Sequence, residues 1–168
     1  LALGFSMVTM LIGPYLILTA AAICHPEHQG NTWKQLYTYP LHRANLFFSK
    51  LLTAIGLVFL AYVLYLASIF PLAYLLGWVI PELAFAEHTP PVGEQLQWLG
   101  HSFLASLGML TIQYMLSLHW RSFIPPIAIG LTALIAGWIL LGRTEITHYY
   151  PYCFPSLVHF ASRPGVGI

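Results

Sequence analysis

Long apolar stretches without a single Asp, Glu, Lys or Arg dominate this chain. Four of them extend over residues 1–24, 51–81, 95–120 and 122–142. A bilayer core about 30 Å thick is crossed by about 20 helical residues, so each stretch is long enough to span a membrane. The pattern predicts four membrane-spanning helices, over about residues 1–24, 46–80, 96–119 and 122–142.

Prolines interrupt this pattern at two places. Pro71 lies inside the second span, where its missing N–H and its ring favour a kink near residue 71. Residues 143–168 form a last stretch that prolines and histidines break, which is typical of an interfacial or re-entrant segment on the outer side. The predicted fold is therefore all-α, a polytopic membrane bundle that forms one transmembrane domain over residues 1–168.

Composition excludes a soluble globular protein. Only 7% of the 168 residues are charged and 58% are hydrophobic, whereas a soluble domain carries about 25% charged residues. The net charge of +1 comes without a basic cluster, so nucleic acid is not an expected partner. Because the first residue is a Leu inside an apolar run and the last residues are loop-like, we expect the chain to be a fragment of a longer protein.

The few charges predict the orientation in the membrane. The connection over residues 25–50 holds three basic residues, whereas the connection over 82–94 holds three glutamates and no basic residue. Lys and Arg collect in short cytoplasmic loops. We therefore expect a cytoplasmic loop at residues 25–45, an outer loop at 81–95, and a multi-pass protein of the cytoplasmic (inner) membrane.

The cytoplasmic loop contains a predicted short helix. Asn31 is a good N-cap and Pro40 ends a helix by about residue 39. Trp33, Leu36, Tyr37 and Pro40 follow the i, i+3, i+4, i+7 spacing of one apolar face. A two-turn helix is marginal alone, so it needs a surface to bury that face. Two surfaces remain open at this point: the lipid headgroup layer, or a groove on a cytoplasmic partner.

The same loop resembles the signature loop of type-2 ABC transporter permeases, in particular the bacterial lantibiotic-immunity and bacitracin-type export permeases. The matching positions run from the end of the first span to the start of the second: Glu27, Gly30, Trp33, Lys34, Leu36, Tyr37, Pro40, Arg43 and Lys50. The resemblance implies that this loop is the coupling helix that sits on an ATP-hydrolysing subunit. It also implies that Arg43 and Lys50 anchor the next span at the headgroups, and that the four spans are the family's second to fifth helices.

The function that follows from the resemblance is transport without covalent chemistry. The chain would be the permease subunit of an ABC exporter and not an enzyme. Its partners would be a dimer of ATPase subunits and a second permease, identical or different. ATP and Mg²⁺ would bind to the partner subunit, so we expect no cofactor, metal or catalytic residue in this chain.

A polar face on the third span is the next candidate site. Ser102, Ser106, Gln113 and Ser117 are spaced four, seven and four residues apart, which places them on one side of a helix. Polar groups in lipid must face protein or water. The face either forms hydrogen bonds within the bundle, or lines the substrate path or the seam between two permeases. No acidic residue lies in mid-span, which argues against proton or sodium coupling.

The outer segment holds the last candidates, Tyr149, Tyr150, Pro151 and Pro155. These residues either belong to the aromatic belt at the membrane surface or form a gate over the exit of the path.

Eight histidines suggest an alternative of another class, a membrane-anchor subunit of a haem or redox complex. His101 and His119 lie near opposite ends of one span and cannot hold one haem between them. An intramembrane enzyme is a third hypothesis, which the lack of paired acids in the spans disfavours.

Overall fold

The computed structural model describes residues 2–29, 43–79, 92–120, 122–141 and 147–161. Within these ranges the chain forms five α-helices and one 3₁₀ helix, and no strand. They are α1 (Ala2–Gln29), α2 (Arg43–Val79), α3 (Val92–His119), α4 (Ile124–Leu140), the 3₁₀ helix Pro151–Cys153, and α5 (Phe154–Ala161). The predicted all-α class is confirmed for this part of the chain.

The longest helix, α2, carries the clearest membrane signal. Its segment Ala44–Ile69 has a mean hydropathy of 2.2, and only 22% of its most apolar 18-residue stretch is buried inside the chain. Many of its apolar side chains therefore face outward, unlike those of a core helix in a soluble protein. Among the described residues it is the one helix that is long and apolar enough to cross a membrane. Shorter apolar helices lie at Met10–Pro26 and Ile124–Leu140, and the count of four spans stays a prediction.

Three prolines lie inside these helices without ending them. α1 continues through Pro14 and Pro26 to Gln29, past the predicted end of the first span at residue 24. α2 continues through Pro71 to Val79, and the bend expected there stays a prediction. Each proline removes one backbone hydrogen bond, a loss that neighbouring helices offset in a bundle.

The centre of the bundle is α3, which contacts every other helix, whereas α2 lies to one side against α1 and α3. The fully buried core side chains come mainly from α1, α2 and α3, and include Leu16, Ile17, Val58, Leu110 and Tyr114. Polar residues of α3 are therefore placed where all the other elements meet.

The predicted cytoplasmic helix at residues 31–39 and most of the predicted outer loop at 81–95 lie outside the described residues.

Candidate functional site

The two helices that flank the predicted coupling loop are joined by side chains. Nζ of Lys50 in α2 lies 3.5 Å from the carbonyl oxygen of Ile23 in α1. Further along, the hydroxyl of Tyr15 donates a hydrogen bond of 3.1 Å to the carbonyl oxygen of Leu57. Two side-chain contacts therefore hold the flanks of the loop together.

Only the edges of the predicted coupling loop are described. Glu27 lies in the last turn of α1 and Arg43 is the first residue of α2. Lys50, expected at the headgroups, is half-buried and reaches back to α1. The other predicted loop residues lie outside the described ranges: Gly30, Trp33, Lys34, Leu36, Tyr37 and Pro40.

Tyr114 of α3 connects the central helix to the start of α2. Its side chain is fully buried, and its hydroxyl donates a hydrogen bond of 3.1 Å to the carbonyl oxygen of Phe47. The two rings also meet edge to face, with centroids 5.2 Å apart. The start of α2, directly after the predicted loop, is thereby fixed to α3.

The predicted polar face of α3 points into the chain. All four of its side chains are buried, at 3% exposure or less: Ser102, Ser106, Gln113 and Ser117. Ser106 Oγ shares a 2.7 Å hydrogen bond with the hydroxyl of Tyr62 in α2 and donates to the Ser102 carbonyl oxygen at 2.8 Å. The first of these hydrogen bonds joins α2 to α3, and the second lies within α3. A role of this face in a substrate path or subunit seam stays a prediction.

Gln113 makes the widest set of contacts on that face. Its Nε2 donates to the carbonyl oxygen of Pro126 in α4 at 2.8 Å. Its Oε1 accepts a hydrogen bond of 3.0 Å from the hydroxyl of Tyr152 in the 3₁₀ helix. One amide thus joins three elements, and both of its polar atoms are satisfied although the side chain is fully buried.

A glycine makes this arrangement possible. A Cβ added at Gly130 of α4 would lie 2.6 Å from Gln113 Oε1 and 2.8 Å from Nε2. A Cβ at these distances would overlap the amide, so the amide lies directly against the α4 backbone only because residue 130 has no side chain.

Residues 147–161 lie against α3 and α4. Thr147 Oγ1 donates to the Leu140 carbonyl oxygen at 3.0 Å, and the Tyr150 hydroxyl donates to the Ala133 carbonyl oxygen at 2.9 Å. Cys153 Sγ lies 3.2 Å from the Gly137 carbonyl oxygen. Burial raises the pKa of the Cys153 thiol. The segment is therefore tied to backbone carbonyls along half of α4.

The residues predicted as an outer gate occupy different surroundings. Tyr149 is 86% exposed, whereas Tyr150 is half-buried and held by Ala133. Pro151 opens the 3₁₀ helix and Pro155 is buried. Tyr149 is the most exposed of the four, and the gate stays a prediction.

The histidines that the structure describes lie apart from one another. His101 and His119 are exposed on α3, and His25 rests on the ring of Phe123, with centroids 4.8 Å apart. Within the described ranges no three His, Cys, Asp or Glu side chains come together in a group that would hold a metal ion.

Three tyrosines of this network, Tyr62, Tyr114 and Tyr152, are not among the predicted site residues. A signal for them exists, since a tyrosine hydroxyl in an apolar helix needs a hydrogen-bond partner. That rule marks the residues but not their partners, which lie 44, 67 and 39 positions away along the chain.

A helical bundle with apolar residues outside and hydrogen-bonded polar residues inside defines an integral membrane protein of the α-helical class. The sequence profile described as "ABC-2 family transporter protein" matches residues 2–137, more than half of the chain. The chain therefore belongs to the ABC-2 transporter family, as the loop resemblance predicted. No curated protein and no solved structure matches it.

Membership of this family defines the general function of the chain. The chain is a permease component of an ABC transporter, a transmembrane subunit that is not itself catalytic. Members of this family normally work with an ABC ATPase partner.

Proposed function

We propose that this chain is the membrane permease of an ATP-driven exporter and that residues 25–45 couple it to a separate ATPase subunit. The export direction follows from the resemblance of the loop to lantibiotic-immunity and bacitracin-type permeases. The working unit is two permeases on two ATPase subunits in the cytoplasmic membrane, with the loop on the cytoplasmic side.

The observation that carries this proposal is the anchoring of both flanks of the loop. α1 is joined to α2 through Lys50 and Ile23, and the start of α2 is joined to α3 through Phe47 and Tyr114. The first contact joins the two helices that the loop connects. The second joins one of these helices to α3, which packs against both. A push on the loop by a closing ATPase dimer therefore moves three packed helices together instead of bending one end of a helix.

Association with the ATPase tests the proposal. The full-length permease, tagged and purified from membranes, is expected to retain a subunit with ATP-binding motifs whose hydrolysis depends on the permease. Trp33→Ala removes the largest side chain of the predicted loop helix. Buried aromatic anchors of interfaces contribute about 2 kcal/mol or more, so binding of the ATPase should weaken about thirtyfold while membrane insertion is unchanged.

Trp78→Ala is the matched control, because Trp78 is 84% exposed at the far end of α2. That variant should keep the ATPase bound. If Trp33→Ala binds the ATPase and drives ATP-dependent transport normally, the loop does not dock on the ATPase. In that case the headgroup layer is the surface that covers Trp33.

A further inference from the structure

Two consecutive residues of α3 reach opposite parts of the chain. Tyr114 holds the start of α2 through the Phe47 carbonyl oxygen. Gln113 holds the first turn of α4 at Pro126 and the 3₁₀ helix at Tyr152. Neighbouring residues of a helix point about 100° apart, so one turn of α3 contacts both sides of the bundle.

The contacts of Gln113 leave it no freedom to move alone. Its donor and its acceptor each have one partner from a different element, and Gly130 lets the amide lie flat against α4. If α3 shifts relative to α4, at least one of these hydrogen bonds must break or must carry the 3₁₀ helix with it. A buried amide in an apolar bundle strongly resists being left without a partner.

We propose that Gln113 is a positioning residue for transport, which transmits movement of α2 and α3 at the coupling side to residues 147–161. The inference rests on the proposed function, since the movement begins with the ATPase. Tyr114 receives the displacement of α2, and Gln113, in the same turn of α3, passes it to Tyr152.

The chain contains its own reporter for this movement. Cys153 follows Tyr152 directly, is fully buried, and is one of only two cysteines in the sequence. With Cys24 and any cysteine outside these 168 residues replaced by Ala, a maleimide reports on Cys153 alone. The full-length permease is labelled in membrane vesicles together with its ATPase, without nucleotide and with ATP plus vanadate, and labelling is read on the permease band.

With Gln113 present, vanadate trapping should change the Cys153 labelling rate by at least about threefold, the population change that one hydrogen bond in a membrane bundle supplies. Gln113→Leu should abolish that change while ATP hydrolysis continues. Tyr152→Phe removes only the hydroxyl and should have the same effect, so the test survives if Gln113→Leu does not fold. Gln95→Leu, the same substitution on the same helix, should leave the change intact.

The outcomes separate the two proposals. If the ATPase is bound and active but trapping leaves the labelling of the parent permease unchanged, the role of Gln113 is refuted and the proposed function stands. The role is also refuted if Gln113→Leu and Tyr152→Phe both retain the full nucleotide response. If no ATPase associates with the permease, the proposed function fails and the positioning role fails with it.

Discussion

The hydroxyl of Tyr152 donates a 3.0 Å hydrogen bond to Oε1 of Gln113, which joins the segment after α4 to the central helix of the bundle. Both side chains are buried. Neither group has water as an alternative partner there, so separating them leaves a hydroxyl and an amide oxygen unpaired. This pair therefore helps to fix the 3₁₀ helix against α3.

The stability of the bundle should depend on this amide and not on a second glutamine of the same helix. Gln113→Leu leaves the Tyr152 hydroxyl without its acceptor, so the free energy of unfolding should fall by ~1–3 kcal/mol. Gln95 is equally buried, at 4% exposure, but its amide atoms have no hydrogen-bond partner among the described residues. Gln95→Leu should leave stability unchanged or raise it. Unfolding by SDS in mixed micelles measures both, and equal losses would contradict the assignment.

A second test concerns the contact between α2 and α3. The Tyr62 hydroxyl and Ser106 Oγ are 2.7 Å apart and buried. Hydrogen bonds between membrane helices average about 0.6 kcal/mol because the unfolded chain in the membrane also finds partners. A double-mutant cycle with Tyr62→Phe and Ser106→Ala should give a coupling free energy of about that size. A coupling free energy of zero would show that this short contact does not stabilise the bundle.

The positions of the helices are predictable from the sequence because charged side chains are costly in lipid. Stretches without charge therefore indicate where the helices lie. α2 overlaps the second predicted span, and α3 and α4 overlap the third and fourth. The end of α1 was less predictable. A helix does not need apolar residues to continue, so Glu27 and Gln29 extend it beyond residue 24.

For each hydrogen bond of the candidate site, only one of the two residues was predictable from the sequence. Helical spacing placed Ser106 and Gln113 on one face, and the structure buries both. Their partners Tyr62 and Tyr152 come from distant parts of the chain, and periodicity within one helix does not identify a neighbour. Lys50 shows the same limit, since its position at the start of a span predicts a headgroup contact while its long stem reaches the carbonyl oxygen of Ile23.

Lys50 offers a third test, at the flank of the predicted loop. Lys50→Met keeps a long apolar stem but removes the ammonium group that lies 3.5 Å from the Ile23 carbonyl oxygen. That distance is at the upper limit for a hydrogen bond, so the expected loss of unfolding free energy is about 1 kcal/mol or less. Ser49, the neighbouring residue, is exposed, so Ser49→Ala should leave the free energy of unfolding unchanged. If Lys50→Met also lowers the permease-dependent ATP hydrolysis, the link between α1 and α2 contributes to coupling as well as to stability.

The most specific test combines Gly130 and Gln113. In Gly130→Ala the new Cβ would lie 2.6 Å from Gln113 Oε1, so the amide must shift, and we expect its hydrogen bonds to Pro126 and Tyr152 to weaken or break. Overpacking of this kind costs ~1–3 kcal/mol. Gly56→Ala in α2 is the control, because no atom lies within 4 Å of its added Cβ, and it should be neutral or stabilising by up to about 1 kcal/mol.

The cost of Gly130→Ala should largely disappear when Gln113 is already Ala, since the atoms that the new methyl group would meet are then absent. The double variant should therefore be about as stable as Gln113→Ala alone, as measured by SDS unfolding. Additive losses would mean that Gly130 is needed for another contact and that the amide does not lie against the α4 backbone. The same pair can be carried into the Cys153 labelling assay. There Gly130→Ala should weaken the nucleotide response that Gln113→Leu abolishes, because both changes disturb the hydrogen bond between residue 113 and Tyr152.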